Sequence, residues 1–234
     1  MWQIRLELMD RERNGTPVKL TVFDRDVDER REVVLEPAEW SLRAATAEKR
    51  EDVTIIRVDA VPVDAVAAVA ELIPDHGPVI LDLRELHWGL EAPTIELADS
   101  FLRAGRLGEW KGRRAGSRLY EADEAAALDA PPMILVSQQT EGVGEILAGA
   151  LQGGGAIVVG SRTLGNAPYM SLVRDGDVAV WMPVGLWLRP DDDPISGNGI
   201  EPNELVEAAE PDSEDDPVLD RALELLAEDQ EKAA

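Results

Sequence analysis

Hydroxyl, imidazole and carboxylate side chains gather in few places in this 234-residue chain. Ser137, Thr140, Glu141 and Glu145 share one short stretch, Ser161 lies further on, and His87 follows Arg84-Glu85-Leu86. A hydroxyl attacks a carbonyl only if a neighbouring base takes its proton. Ser137, Thr140 and Ser161 are the candidate nucleophiles, and His87 oriented by Glu141 or Glu145 is the candidate base. No lysine occurs between Lys111 and Lys232 to serve instead. The absence of cysteine excludes thiol catalysis, disulfides and thiolate metal sites. With only His76 and His87, a three-histidine metal centre is excluded too. Asp191-Asp192-Asp193 offers hard oxygen ligands, but no further acid stands at calcium-loop spacing, so a solvated turn is expected. Gly153-Gly154-Gly155 lacks the lysine and hydroxyl residue of a phosphate loop and follows a helical segment. No metal or cofactor is therefore expected.

The elements that would position these groups follow from hydrophobic pattern. Four short runs read as strands: Val53–Val58 is β-branched, Pro78–Leu83 and Met133–Val136 are apolar in the manner of strands covered on both faces, and Ala156–Val159 follows. Between them, Val63–Leu72, Thr94–Ala104 and Glu145–Leu151 have helical spacing. Alternating buried strands and helices predict an α/β layered core from about 53 to 165. Pro78 is expected to open its strand. Residues 169–174 and 178–183 read as further strands, and 217–228 as an amphipathic helix. Residues 41–51 read as a linker or short helix. Before them, residues 3–8, 17–24 and 31–35 read as strands of a small β-rich unit over 1–40, with Asn14-Gly15 a turn. Val18, Leu20 and Val22 are expected to face inward.

Lys plus Arg number 23 against 47 Asp plus Glu, a net charge of −24. A field of that sign opposes nucleic acid and anionic membranes, and no stretch is apolar over a bilayer's thickness. The absence of a leader leads to the expectation of a cytoplasmic protein, if the chain is not part of a longer one. Acid concentrates from Asp191 onward, and 229–234 reads as a tail end. Arg103, Arg106, Lys111, Arg113, Arg114 and Arg118 instead cluster among glycines. They read as an exposed loop balanced within the molecule, with an acidic partner or the chain's own tail as the alternative. The six tryptophans (2, 40, 88, 110, 181, 187) read as packing residues, Trp88 excepted.

Three stretches in order resemble the carboxyl-terminal processing (tail-specific) serine peptidases. Val79-Ile80-Leu81-Asp82-Leu83-Arg84 is similar to that family's "ILDLR" strand. Met133-Ile134-Leu135-Val136 with Glu145–Gln152 is similar to its strand and "EIxAGALQ" helix. Ala156–Gly165 is similar to "AxVVGxxTxGK". Gly197–Pro202 resembles the closing "GxGIxPD", and 14–22 the last strands of a PDZ module, for which there is no complete room. The resemblance implies a tail-specific protease-like domain over 53–228. Its fold would be a mainly buried β-sheet flanked by helices, plus the small N-terminal β unit.

The resemblance also places the family's serine on Gly142 and the second serine of "SASE" on Gly144. Its lysine falls on Asn166, and the glutamine that orients the lysine on Met170. Glycine has no nucleophile and a carboxamide is no base near neutral pH. In the loop implied to form the oxyanion environment, one of the paired glycines is Trp88, beside Gly89, and Glu85 adds an acid. The expected function is a non-catalytic relative whose cleft (Arg84, Trp88, Gly89, Gly142, Gly144, Glu145) binds an extended peptide or protein or supports a homo-oligomer. The alternatives are a small apolar ligand, as in retinoid-binding relatives of this fold, and a peptidase with relocated residues. Trp88 either fills the old pocket or offers a binding surface.

Overall fold

The structure is a computed structural model that describes residues 16–24, 29–36, 43–112, 116–123, 128, 131–175, 178–210, 213 and 215–233. The expected strand at 3–8, the turn at Asn14-Gly15, Trp2, Trp40, Arg113 and Arg114 lie outside them, as does the side chain of Trp181. The chain divides into a unit over Met1–Leu42 and a larger one over Arg43–Ala234.

In the first unit, β1 (Val18–Asp24) pairs antiparallel with β2 (Glu29–Leu35), Val18 opposite Leu35. Val18 and Leu20 are half-buried while Lys19 and Thr21 are exposed. Val22 is 37% exposed, so the expected inward face does not extend to it. Among the described residues of this unit the ribbon has no second layer over that end.

The second unit is built on a six-stranded sheet in the order β12-β9-β8-β5-β4-β3. Its strands are β3 (Ala45–Arg50), β4 (Val53–Val58), β5 (Val79–Asp82), β8 (Met133–Val136), β9 (Val158–Gly160) and β12 (Glu204–Leu205). The four apolar runs thus lie side by side and parallel, with only β3 antiparallel at the edge. Pro78 precedes β5, its carbonyl accepting from Thr54 N. Alternate side chains serve opposite faces. Ile56, Leu81, Ile134 and Val158 meet α1 (Ala65–Ala70), α2 (Glu91–Asp99) and α3 (Val143–Gly153). Ile55, Ile80, Leu135 and Val159 meet Val218, Leu219 and Ala222 of α4 (Pro217–Ala233). The centre of the sheet is therefore covered on both sides, which is why β5 and β8 read as largely apolar runs.

A second sheet, in the order β10-β11-β6-β7, packs Leu107 and Trp187 into the α1–α3 side of the core. It contains β6 (Arg106–Gly112), β7 (Gly116–Glu121), β10 (Pro168–Asp175) and β11 (Val178–Leu188). Three local expectations are corrected. Residues 45–50 form an edge strand, not a linker or helix, turning into β4 through Glu51 at φ 53°. Helix α2 starts at Glu91, because Pro93 is tolerated in a first turn whose N–H groups need no intrahelical acceptor. The basic stretch from 106 to 118 is mostly hairpin, not loop. Arg106 reaches Glu109 and Asp192 (2.8 and 2.7 Å). Arg189 holds Asp191 and Asp193 at 2.9 Å, leaving the three aspartates in an exposed turn. Among the described residues no His/Asp/Glu group is arranged to hold a metal ion, and no helix is long and apolar enough to cross a membrane.

Candidate functional site

The parallel strands end at one edge of the sheet, and the loops leaving β5, β8 and β9 meet there, as open α/β sheets place their sites. The loop from β8 to α3 carries two of the candidate hydroxyls, and both are engaged. Thr140 is fully buried; its Oγ1 donates to the Leu83 carbonyl (2.9 Å) and accepts from Ser137 N (3.0 Å). Ser137 Oγ donates to the Arg84 carbonyl (2.6 Å) and accepts from Gln139 N (3.0 Å). They lash the β8 loop to the β5 loop, and neither hydroxyl faces a base. Ser161 sits half-buried just past β9, its N–H on the Val136 carbonyl (3.4 Å).

Gly142 is the residue before α3, at φ 58° and ψ −113°. Glycine takes this conformation freely, whereas a residue with a side chain holds it only under strain. It lies at the end of the six-residue loop between β8 and α3, where the chain turns into the helix. Gly142 N donates to the Asn166 carbonyl (3.1 Å). A Cβ at Gly142 would lie 3.8 Å from that carbonyl, so space for a side chain exists. The positions matched to serine and lysine are thus in contact through their backbones. Asn166 turns its carboxamide outward, Nδ2 donating to Glu141 (3.1 Å). Met170 is half-buried at a bulge in β10. Gly144 leaves no room for a second serine, since a Cβ there would collide with the Leu86 carbonyl.

Glu145 holds this arrangement together. It is fully buried. Its Oε1 accepts from Thr163 Oγ1 (2.5 Å) and Gly165 N (2.6 Å), and its Oε2 from Asn166 N (2.8 Å) and Gly142 N (3.1 Å). The last bond is the glutamate half of a capping box; Gly142 has no side chain to supply the other half. Thr163 Oγ1 also accepts from Ile200 N (2.8 Å). Glu145 is therefore a scaffold and does not orient His87. His87 is exposed, with Nδ1 2.8 Å from the Glu85 carbonyl, and the expected base pair with Glu141 or Glu145 does not form.

The β5 loop corrects two further expectations. Arg84 does not face the cleft: it grips Asp82 through Nε (2.9 Å) and Nη2 (2.7 Å) and reaches Asp216 with Nη1 (2.8 Å). Burial works against its charge, but the hydrogen bonds to Asp82 and Asp216 outweigh it and leave its pKa above the ordinary value. Glu85 is drawn off to Arg57. Trp88 fills no pocket, being 44% exposed. Its carbonyl accepts from Val61 N (3.0 Å). Gly89 brings the loop against α3, since a Cβ there would meet Val61 Cβ at 2.7 Å and Val143 Cγ2 at 3.0 Å. Leu90 and Leu164 are exposed as well, 43% and 58%.

Beside the cleft, Glu91 opens α2 and accepts from Tyr120 Oη (3.3 Å), while Arg118 lies over the Tyr120 ring at 4.8 Å. Burial raises the Glu91 pKa against the lowering influence of Tyr120 and Arg118. Sequence reasoning missed the structural parts of Glu145, Thr163 and Asp216. The signals were present: an acid at the third position of a helix, and Asp-Pro at a helix start.

The model of peptidase family S41 matches residues 53–206. A carboxyl-terminal-processing protease of Picosynechococcus is 36% identical over 159 residues, covering 64% of this chain and 38% of that protein. One of Synechocystis is 35% identical over 154 residues, covering 63% and 36%. The chain thus spans well under half the length of these relatives. Among solved structures, the photosystem II D1 C-terminal processing protease superposes with a TM-score of 0.67 at 19% identity, covering 82% of this chain and 56% of that one. That likeness is one of fold.

Proposed function

The chain belongs to peptidase family S41, and from that membership we propose that its cleft binds an extended peptide or protein segment without cleaving it. One observation carries this reading. The Glu145–Thr163–Gly165 frame brings positions 142 and 166 together, yet the residues there are a glycine and a carboxamide. The positions that the motif resemblance matches to nucleophile and base carry neither a hydroxyl nor an amine. Binding needs neither, because an extended chain adds to a sheet edge through backbone hydrogen bonds and side-chain pockets. Trp88, Leu90 and Leu164 supply exposed apolar surface around the cleft. A solvated indole gains by being covered.

The test is fluorescence polarisation with a short labelled peptide of apolar C-terminus, followed by mass spectrometry of the same mixture. Saturable binding with intact peptide is expected. Cleavage products that vanish on Ser137→Ala, Thr140→Ala or Ser161→Ala would overturn the reading and establish a relocated nucleophile.

A further inference from the structure

We infer that Asp216, on the face of the sheet covered by α4, is a positioning residue for the 84–90 loop and so sets the affinity of the cleft. The inference rests on the binding reading above. Arg84 is held from two sides. Its carbonyl accepts from Ser137 Oγ at the cleft (2.6 Å), while its side chain crosses the sheet edge to Asp216 Oδ1 (2.8 Å). The same oxygen caps α4 by accepting from Leu219 N (3.1 Å). One carboxylate therefore joins the start of the C-terminal helix to the first residue of the loop that carries Trp88.

The pair is shielded enough to matter, with side chains 26% and 31% exposed, whereas fully exposed pairs contribute little. Asp82 also faces Arg84, and Glu48, Arg50 and Arg57 line a separate pocket with Arg84 and Asp216. Removing the Asp216 charge leaves a partly buried guanidinium with Asp82 as its remaining carboxylate. The loop then gains freedom at its root, and a freer Trp88 must be ordered on binding, which weakens affinity.

Asp216→Asn separates positioning from capping, because asparagine caps a helix as well as aspartate does but carries no charge. Hydrogen exchange of the full chain is read over 84–90, where Leu86 N and Leu90 N are bonded to Leu83 and Val61 carbonyls, and over 217–228. Exchange at 84–90 is expected to accelerate about tenfold, the scale of what is lost when the acceptor of a charged hydrogen bond turns from carboxylate to amide oxygen, with 217–228 unchanged. Asp216→Glu, which keeps the charge, should restore slow exchange. The labelled peptide should bind Asp216→Asn several-fold more weakly than wild type. Unchanged exchange at 84–90, or equal acceleration in both segments, overturns the inference and leaves Asp216 a helix cap. If wild type binds no peptide, the binding reading fails while the exchange result still decides the positioning role.

Discussion

A carboxylate buried with four donors around it is the most constrained group in the cleft, and Glu145 is that group. Glu145→Gln keeps the shape but aims an NH2 at donors, leaving two of them without an acceptor. Each buried unsatisfied group costs about 1–3 kcal/mol, so roughly 3 kcal/mol of stability should be lost in urea unfolding. A loss below about 1 kcal/mol would mean that the donors find other acceptors. Gly142→Ser probes the neighbouring position. It should label with no serine-directed reagent, since Asn166 accepts no proton, and it should cost about 1–2 kcal/mol for a side chain at φ 58°. Covalent labelling of the single variant would show a base that the geometry does not reveal.

Elements buried on both faces were legible in the sequence, because Val79–Leu81 and Met133–Val136 are apolar throughout and the segments between them have helical spacing. What escaped were the elements whose reasons lie elsewhere in the fold. Ala45–Arg50 is an edge strand with one neighbour and an exposed end, so it carries no alternation to read. The β6–β7 hairpin looked like a loop on account of its glycines. Two of them instead make room for indoles: a Cβ at Gly112 would strike the Trp110 ring at 2.7 Å, and one at Gly108 the Trp187 ring at 2.9 Å. Trp110 packs on Tyr169 and Trp187 on Tyr120, ring centres 4.5 and 5.4 Å apart. In the cleft, the missing serine and lysine could be read by alignment to motifs, but the frame around them could not. Its donors are mostly backbone N–H groups, which every sequence has. Trp88 belongs at this scale too, as part of a loop that is tied at both ends and exposed between them. Trp88→Ala should leave the melting temperature nearly unchanged and weaken peptide binding. Equal binding by the variant would remove the indole from the site.

At the scale of the whole molecule, a net charge of −24 works against compactness. Raising salt from roughly 0.01 to 0.15 M screens that repulsion, so the melting temperature should rise; a fall would mean that local ion pairs outweigh the global field. Acid should act through Asp216. Burial pushes its pKa up, but hydrogen bonds from Arg84 and Leu219 N more than offset this and leave it below the ordinary value. A group depressed in the folded state stabilises above its unfolded pKa, and that contribution disappears as pH falls through the folded one. Wild type should therefore lose more stability than Asp216→Asn between about pH 5 and 3. The parallel sheet has one more consequence, in time. Its parallel pairings, Ile80 with Met133 and Val159 with Glu204 among them, cannot form through a tight turn as the β3–β4 pair does. Each requires closing a long stretch of chain before any hydrogen bond compensates. Refolding of this unit should consequently fall at the slow end, milliseconds to seconds. During that interval four apolar strands stand open to other chains, and aggregation should rise with protein concentration in refolding even though the native surface is strongly acidic.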